Sequence, residues 1–401
     1  MVLQVSEARL PSISAPIYLD YQASSPLDAS VAEVICDWLR GRCGNPHSSE
    51  HAFGWAAHED VERARRSVAL LVDADPEDIF FTSGATEANN LALFGAAEKA
   101  PPDRDTILVS SIEHSSVIEP ARELARRGFR VVELPVDHEG FLHLESLRAQ
   151  LTHRVLLVSV AAVNNEVGTI QNLDQIGRLS RASGALFHTD AAQALSARSL
   201  PLGQLPVDLA SLSSHKSYGP AGVGALYVAA GQRNRIAPQV LGGAQQGGLR
   251  AGTLPTALCV GFGRACEILD EFGQAERDRV AALRDQLWQK LRTAMPAPEV
   301  VLNGPSDFRS RHPGNLSVAY LGTDARDIVQ RLQPHVACST GSACHAGSEK
   351  PSHVLLSMGY AERRAQSTLR LSLGRQSTAD EVFRAAMLVT KAANEVALSS
   401  R

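Results

Sequence analysis

Short apolar runs alternate with amphipathic segments from about residue 60 onward. The runs favour β-strands and lie at 79–82, 106–110, 130–134, 155–160, 186–190 and 208–212. Between them, segments such as 86–99, 115–127 and 173–183 place apolar residues three and four positions apart, which predicts helices. Continuous apolar strands separated by helices are typical of a mostly parallel sheet that is covered on both faces. The pattern therefore predicts an α/β fold.

The pattern changes after Thr256. A long charged segment follows, and its residues Val280, Leu283, Leu287 and Leu291 form one apolar helical face. We place a boundary near residue 270, with a large domain over 26–270 and a smaller α/β domain over 271–401. Residues 1–25 are expected to pack with the small domain. The chain contains no internal repeat or flexible linker, so we expect the two domains to share a substantial interface.

Composition and charge exclude several classes of protein. The 401 residues carry 39 Lys and Arg against 43 Asp and Glu, a net charge of −4, and no long basic run. This balance argues against nucleic-acid binding, which needs clustered positive charge. Residues 1–16 lack the pattern of a signal peptide. The longest apolar stretch, 155–163, is about half of the roughly 18 residues that a membrane span needs.

The six cysteines are too sparse in so long a chain for a disulfide scaffold, which favours a reducing compartment. We therefore expect a soluble, cytoplasmic protein. Cys259 and Cys266 have the spacing of a buried helical face, and Cys36 lies near Trp38 in another apolar stretch, so these three are expected to be inert.

The segment Thr82–Glu87, Thr-Ser-Gly-Ala-Thr-Glu, follows an apolar run and opens a helix. A strand, a glycine turn and a helix amino terminus together present N–H groups and a positive dipole end to an anion such as phosphate. The alternative is an ordinary strand-to-helix turn that is capped by a hydroxyl group. This motif alone does not decide between the two.

Asp190 ends the apolar run 186–190. Ligands of open α/β sheets bind at the carboxyl ends of the strands, so a carboxylate at this point is a candidate binding group. Asp190 could equally cap the next helix.

Lys216 lies in Ser213–Pro220, between an apolar run and a glycine-rich turn. A lysine at this point is partly desolvated, which favours the free amine that condenses with a carbonyl group. Pyridoxal phosphate requires such a lysine, a strand-end aspartate for its ring nitrogen and a helix amino terminus for its phosphate. The glycines after Lys216 lead into a strand-like stretch at 225–228, so they do not form a dinucleotide fingerprint.

Cys344 lies in a stretch of small and polar residues, 337–348, which predicts an exposed, mobile loop with an accessible thiol. A zinc site formed by His335, Cys338, Cys344, His345 and His353 is an alternative, but the gap between the two cysteines is too long for the usual ligand spacing. A disulfide between Cys338 and Cys344 is the other alternative, and a reducing compartment disfavours it.

These residues together resemble the cysteine desulfurases, which are fold-type I pyridoxal-phosphate enzymes of the class V aminotransferase group. The resemblance covers nearly the whole chain, and the stretch around Cys344 is similar to the group with a long mobile cysteine loop. The motifs that carry it, in chain order, are Tyr18–Pro26, Gly44–Ser49, Thr82–Asn90, Glu113–Ser116, Val163–Gly168, His188–Gln193, Ser213–Pro220, Arg250–Thr253, Ser342–Cys344 and Leu369–Gly374.

The resemblance implies a cofactor site. Lys216 would form the Schiff base with pyridoxal phosphate, His114 would stack on the ring, and Asp190 would pair with its nitrogen. Asn165 and Gln193 would flank the side of the ring that carries the hydroxyl group. The phosphate ligands would be the Ala85 backbone N–H, Thr86, Ser213 and His215, with Thr253 contributed by the partner subunit of a homodimer.

The resemblance also implies a reaction on L-cysteine. Arg370 would bind the substrate carboxylate, with Asn165 beside it, and Cys344 would take the sulfur as a persulfide for an acceptor protein. The product would be L-alanine. Without the resemblance, His114 reads as an ordinary hydrogen-bonded histidine and Arg370 as a surface ion pair.

Two other functions stay open on the sequence. Selenocysteine lyases share this scaffold and a Cys-His pair like Cys344-His345, and a non-catalytic sulfur-assembly subunit would keep the fold. Two segments depart from the family pattern. A Gln or His followed by Glu-Arg is usual where this chain has Ala244–Gly248, so two charges are absent, and Tyr21–Ser25 replaces an Asn-Asn-Ala-Thr-Thr type motif.

Overall fold

The computed structural model describes residues 16–294, 298–340 and 351–399. The strands are β1 (Ile17–Tyr18), β2 (Ile79–Thr82), β3 (Thr106–Ser110), β4 (Arg130–Leu134), β5 (Val155–Ser159), β6 (Leu186–Asp190), β7 (Leu209–Ser213), β8 (Gly224–Val228), β9 (Val300–Leu302), β10 (Asn315–Tyr320), β11 (Val336–Ala337), β12 (Ser339–Thr340) and β13 (Thr368–Ser372). The helices are α1 (Ala29–Gly41), α2 (Ala52–Leu71), α3 (Ala85–Glu98), α4 (Ser115–Arg126), α5 (Leu144–Gln150), α6 (Leu173–Ala182), α7 (Ala194–Ala197), α8 (Thr256–Thr293), α9 (Ala325–Leu332), α10 (His353–Ser357), α11 (Glu362–Gln366) and α12 (Ala379–Ser399). Across these described ranges, no helix combines the length and the apolar character that spanning a membrane would take.

The large sheet has seven strands in the order β2-β8-β7-β6-β5-β3-β4. All neighbours are parallel except at β8, which runs antiparallel to both β2 and β7. Strands β2, β3, β5, β6, β7 and β8 are buried along their whole length, as their continuous apolar runs predict. The mostly parallel α/β fold is confirmed, and the carboxyl ends of five of these strands lie at one edge of the sheet.

A smaller antiparallel sheet, β12-β13-β10-β9, lies beside a two-stranded parallel pair formed by β1 and β11. Ile17 and Leu19 belong to the apolar core of this smaller sheet. Helix α8 joins the two cores. Its first half contributes Cys259 and Phe262 to the core of the large sheet, and its second half contributes Leu287 to that of the small sheet. The boundary near residue 270 therefore falls inside one continuous helix, and the division into domains stays a prediction.

Arg311 joins the small-sheet region to the loop after β5. Its side chain is 1% exposed. Nη1 donates to the Val167 carbonyl at 2.8 Å and to Asn315 Oδ1 at 2.8 Å, and Nη2 donates to the carbonyls of Pro305 at 2.8 Å and Asn303 at 2.5 Å. Burial lowers the pKa of Arg311 to about 9, so the guanidinium is charged at neutral pH. A buried cation that satisfies several carbonyl groups holds these loops in one arrangement.

We expect Arg311→Met to lower the free energy of unfolding by about 3 kcal/mol, because it leaves buried carbonyl groups without donors. Urea denaturation followed by circular dichroism measures the change. The control is Arg309→Met, since Arg309 is 91% exposed and pairs only with Asp307 at the surface. Equal denaturation midpoints for the two variants would contradict the structural role of Arg311.

Candidate active site

A cavity of about 480 Å³ opens at the carboxyl ends of β2, β3, β5, β6 and β7. Its wall also includes Gln22 and Ala23, which follow β1, and one residue of the small sheet. Ten of the residues predicted from the sequence line it: Ala85, Thr86, His114, Asn165, Asp190, Gln193, Ser213, His215, Lys216 and Arg370. Thr253 is exposed and does not line the cavity. Cys344 lies outside the described residues.

One end of the cavity is formed by the start of α3. Gly84 is the N-cap residue, with φ 150° and ψ 178°, and no side chain caps the helix. The first-turn N–H groups of a helix have no partner inside it, so they present donors and a positive dipole end to the cavity. A Cβ at Gly224 would lie 2.7 Å from Gly84 Cα, so the turn packs directly on β8. The hydroxyl cap that the sequence left open is absent, and this end suits an anion.

His215 faces the same end from the turn after β7. Burial, together with the charge of the adjacent Lys216, lowers its pKa to about 4. Its Nδ1 lies 3.3 Å from the Ser24 hydroxyl. His215 is therefore a neutral hydrogen-bonding group at neutral pH rather than a second cation.

Lys216 closes a short 3-10 turn, Ser214–Lys216, at the end of β7. Its Nζ donates to the carbonyls of Gln22 at 2.8 Å and Ala23 at 2.6 Å. The Gln22 carbonyl also accepts from Gln193 Nε2 at 2.9 Å. The segment after β1 thus holds the lysine amine at the wall of the cavity.

Asp190 lies at the end of β6 and is 7% exposed. Its Oδ1 accepts from the Ala192 N–H at 2.9 Å, which is a local turn bond and not a helix cap, because α7 has Gln193 as its N-cap residue and no side-chain cap. Its Oδ2 accepts from Asn89 Nδ2 at 2.8 Å. The carboxylate lines the cavity and does not cap α7, so the interpretation of Asp190 as a helix cap is wrong.

Arg370 reaches the cavity from β13 of the small sheet. It is 1% exposed, so the interpretation as a surface ion pair is wrong. Nη2 pairs with Asp20 Oδ1 at 2.9 Å, and Nη1 donates to the Asn165 carbonyl at 3.0 Å. Its Nε is buried and has no hydrogen-bond partner among the described residues. A buried guanidinium with an unused N–H suits a carboxylate ligand.

Two buried carboxyl groups near the cavity were not singled out from the sequence. Glu166 is 6% exposed, and its Oε2 accepts from the Ser352 hydroxyl at 2.5 Å. Burial raises its pKa to about 7, while Ser352, Arg370 and His114 act in the opposite direction. Burial also raises the pKa of Glu113 well above its usual range. Both residues lie in polar loop motifs, where nothing in the local pattern distinguishes a buried acid from an exposed one.

The described cysteines divide by burial. Cys259 and Cys266 are buried as predicted, and burial raises the pKa of both thiols, to about 12 for Cys259. Cys36 is exposed, so the prediction of a buried face is wrong for it; Val31 is the buried residue of α1. Cys338 is half-buried, and burial raises its pKa to about 12.

The zinc interpretation finds no support in the part of the chain that the structure covers. No group of three or more potential metal-ligating side chains occurs there. His353, one of the proposed ligands, instead lies with Nε2 3.0 Å from the Glu113 carbonyl. Of the other proposed ligands, His335 and Cys338 are described, and Cys344 and His345 lie outside the described residues.

Gln246 stands where the family pattern has a charged residue. Its side-chain amide pairs with both backbone groups of Phe81: Oε1 accepts from the Phe81 N–H at 2.7 Å, and Nε2 donates to the Phe81 carbonyl at 2.8 Å. Oε1 also accepts from Arg65 Nη1 at 3.2 Å. Because β2 is the edge strand of the large sheet, this amide replaces a neighbouring strand at the residue before Thr82.

Arg250, four residues later, pairs with Glu87 through two hydrogen bonds of 2.8 and 3.2 Å. Glu87 Oε2 in turn accepts from the Ser83 N–H at 2.8 Å. The segment 245–250 is thus fastened to both sides of the Gly84 turn. Because the two charges of the family pattern are absent, this turn is supported by the neutral Gln246 amide and by the ion pair between Arg250 and Glu87.

Comparisons with known proteins place these features in a wider group. The model of the family described as aminotransferase class-V matches residues 17–384. The cysteine desulfurase IscS of Rickettsia akari (strain Hartford) is 41% identical over 381 residues, covering 95% of this chain and 92% of the relative. A solved NifS-like protein superposes with a TM-score of 0.86 at 33% identity, covering 96% of this chain and 100% of that one. A solved SspA in complex with cysteine has a TM-score of 0.78 at 31% identity, covering 90% and 99%.

Gln246→Leu is expected to speed hydrogen exchange at the Phe81 amide about tenfold or more, because a side chain of similar size removes both bonds to the strand. Gln246→Glu keeps the acceptor and loses the donor, so its effect should be smaller. Exchange followed by mass spectrometry or NMR measures both. Gln286→Leu, on the exposed face of α8, is the control. Unchanged exchange at Phe81 in Gln246→Leu would refute the support of β2 by this amide.

Glu166 should make stability depend on pH. Its pKa is raised by burial from 4.5 to about 7, so the folded chain binds this proton more tightly than the unfolded chain. The resulting stabilisation is complete below about pH 4.5 and is lost as the pH rises through about 7. Glu166→Gln cannot ionise and keeps an acceptor for Ser352. Its thermal midpoint should therefore fall less than that of the native chain between about pH 5 and 8.

The control for this pH experiment is Glu145→Gln, because the Glu145 side chain is 91% exposed. This variant should keep the pH dependence of the native chain. If Glu166→Gln also keeps it, the ionisation of Glu166 is not the source.

Proposed function

The chain belongs to the cysteine desulfurase family of the class-V aminotransferases, and from that membership we propose that its cavity converts L-cysteine to L-alanine and passes the sulfur to Cys344. The observation that carries the proposal is that Lys216, Asp190 and Arg370 line one cavity, although Lys216 lies in the turn after β7, Asp190 ends β6 and Arg370 lies on β13. Lys216 would provide the amine for the cofactor aldehyde, Asp190 the anion for its ring nitrogen and Arg370 the cation for the substrate carboxylate. The family implies dependence on pyridoxal phosphate.

The donors around the cavity fit that cofactor. The uncapped start of α3 and the neutral His215 suit the phosphate, with the Ala85 N–H, Thr86 and Ser213 as further ligands. Lys216 offers the amine for the aldehyde. The cavity volume of about 480 Å³ lies within the range of small-molecule and cofactor sites.

The other end of the cofactor would be held by groups from the central strands. Asp190 would accept a hydrogen bond from the ring nitrogen, and Gln193 and Asn165 would lie on the hydroxyl side. His114 would pack on the ring face. When bound, pyridoxal phosphate supplies an electron-withdrawing ring that stabilises negative charge at the substrate α-carbon.

The side chains of the protein then perform the remaining steps. Arg370 binds the substrate carboxylate, and Asn165 lies beside this arginine. Arg370 Nη2 already has the Asp20 carboxylate as a partner, and the buried Arg370 Nε is available for a second acceptor. Lys216 Nζ accepts the α-proton. Both groups act from fixed positions, since each makes hydrogen bonds to backbone carbonyls at the cavity wall.

Cys344 completes the reaction as the sulfur acceptor. Its thiolate attacks the sulfur of L-cysteine, so the carbon–sulfur bond breaks and a sulfur–sulfur bond forms on Cys344. The products are L-alanine and a protein persulfide, which a second protein receives. A reducing compartment such as the cytoplasm suits this step, because the thiol must be regenerated for each turnover.

We further propose a homodimer as the working unit, with Thr253 reaching the phosphate of the partner subunit. Thr253 is exposed and lies outside its own cavity. The Ala251 N–H, two residues before it, donates to the Val240 carbonyl. Val240 is 40% exposed and the adjacent Leu241 is 82% exposed, so an apolar surface adjoins Thr253. Exposed apolar side chains of this kind are typical of subunit interfaces.

The test is the activity of Cys344→Ala on two substrates. We expect this variant to lose formation of L-alanine from L-cysteine, since no thiolate remains to attack the sulfur, and to retain substantial activity on selenocysteine. Measurement of L-alanine from each amino acid decides between the proposal and a selenocysteine lyase. Unchanged activity on L-cysteine would refute the persulfide step.

Lys216→Ala is the companion variant. The native protein with pyridoxal phosphate should have a yellow absorption band, and this variant should lose it, because the amine that binds the aldehyde is gone. A native protein without the band, spectrally identical to Lys216→Ala, would favour a non-catalytic sulfur-assembly subunit.

A further inference from the structure

Asn89 lies at the centre of a hydrogen-bonded chain that joins two predicted cofactor ligands. Its side chain on α3 is fully buried, and its Nδ2 donates both hydrogens, to Asp190 Oδ2 at 2.8 Å and to Ser116 Oγ at 2.8 Å. Ser116 Oγ in turn lies 2.8 Å from His114 Nδ1. The sequence assigned no role to Asn89 or Ser116.

The orientation of the Asn89 amide follows from its surroundings. In the reversed orientation its oxygen would face the Asp190 carboxylate, and the two acceptors would repel each other. In the observed orientation Oδ1 is buried and has no partner among the described residues. An unpaired buried carbonyl costs about 1–3 kcal/mol. The Asn89 side chain therefore leaves its carbonyl oxygen without a hydrogen bond, while its two amide hydrogens are donated to Asp190 and Ser116.

The same geometry determines which nitrogen of His114 carries a proton. Nδ1 accepts from the Ser116 backbone N–H at 3.1 Å, a group that can only donate. Because Ser116 Oγ already accepts a hydrogen from Asn89, its own hydrogen is available for the same Nδ1. Two donors at Nδ1 disfavour a proton there. The neutral ring then carries its hydrogen at Nε2.

We propose that Asn89 is a positioning residue that fixes Asp190 directly and fixes the protonation of His114 through Ser116. The proposal rests on the function proposed above, in which these two residues contact the ring nitrogen and the ring face of the cofactor. The buried Asn89 amide thus fixes both the position of the Asp190 carboxylate and the protonation of His114. Turnover needs both residues, because Asp190 would hold the edge of the cofactor ring and His114 would pack on its face.

Other titratable groups face this chain. Glu113 and His188 lie near Asp190, and Glu166 lies near His114. Burial raises the pKa of Glu113 well above its usual range and lowers that of His188 to about 4, so His188 is neutral near pH 7. Glu166 changes charge near pH 7. Experiments on His114 are therefore made over the range of about pH 5 to 8, with Glu166→Gln as a background.

The test compares Asn89→Leu with Ser116→Ala in protein labelled with ¹⁵N-histidine and free of pyridoxal phosphate. We expect the His114 Nδ1 resonance of the native chain to have the shift of an unprotonated nitrogen across this range. In both variants this resonance should move toward the protonated value near pH 5. Ser116→Ala removes the hydroxyl that donates to Nδ1, and Asn89→Leu removes the hydrogen bond that orients this hydroxyl. Asn90→Leu is the control, since Asn90 lies next on α3 and donates to the Thr86 carbonyl at the surface.

With pyridoxal phosphate bound, the two variants should separate. Asn89→Leu removes the bond to Asp190 and should change the pH dependence of the yellow band, while Ser116→Ala leaves that bond and should not. We also expect kcat/KM for L-cysteine to fall about tenfold in Asn89→Leu.

An Nδ1 resonance that neither variant shifts would overturn the proposal. If Asn89→Leu does not fold, Ser116→Ala still decides the link to His114. Failure of the proposed function is a different result: the native chain would form no L-alanine from L-cysteine, while the resonances without cofactor would still report the hydrogen-bonded chain.

Discussion

Gln22 hydrogen-bonds to residues of both sheet regions, and its carbonyl group holds the amine of Lys216. This carbonyl accepts from Lys216 Nζ at 2.8 Å and from Gln193 Nε2 at 2.9 Å. The same residue donates its N–H to Ser372 Oγ and accepts from Asn315 Nδ2 through its side chain, so it is bound to the small sheet as well. Lys216 and Arg370 come from different sheets, and this one residue sets the relation between the amine and the guanidinium. The segment after β1 therefore forms a part of the cavity wall that is bonded to both sheets.

Most of the fold follows from the apolar pattern, and the exceptions have physical reasons. Except for the edge strand β4, the strands of the large sheet are buried along their whole length, so their continuous apolar runs identify them. Helix α8 was expected as a long helix, but periodicity alone does not tell which core an apolar face enters. Its two halves enter different cores. Cys36 shows the same limit, because an apolar neighbourhood on α1 does not ensure burial.

The site divides in the same way. Asp190 and Lys216 were predictable because each follows a strand whose carboxyl end lies at the ligand edge of the sheet. Asn89 was not, because its partner Asp190 is 101 residues away and an asparagine inside a helix carries no local signal. Glu166 owes its raised pKa to burial, which no spacing reveals. The sequence thus indicates the groups that strand ends position, and the groups that tune them emerge only from three-dimensional contacts.

Charge around the cavity is restricted to few groups, and this restriction explains why the neutral ones matter. Burial lowers the pKa of His215 and His188 to about 4, so both are neutral near pH 7, and it raises the pKa of Glu113 well above its usual range. Gln246 supports β2 with a neutral amide where the family pattern has a charge. In a site of low dielectric, each remaining charge acts strongly on a ligand. Under the proposed function, Arg370 would bind the substrate carboxylate and Asp190 the ring nitrogen of the cofactor, and the neutral side chains around them would contribute hydrogen bonds rather than competing charges.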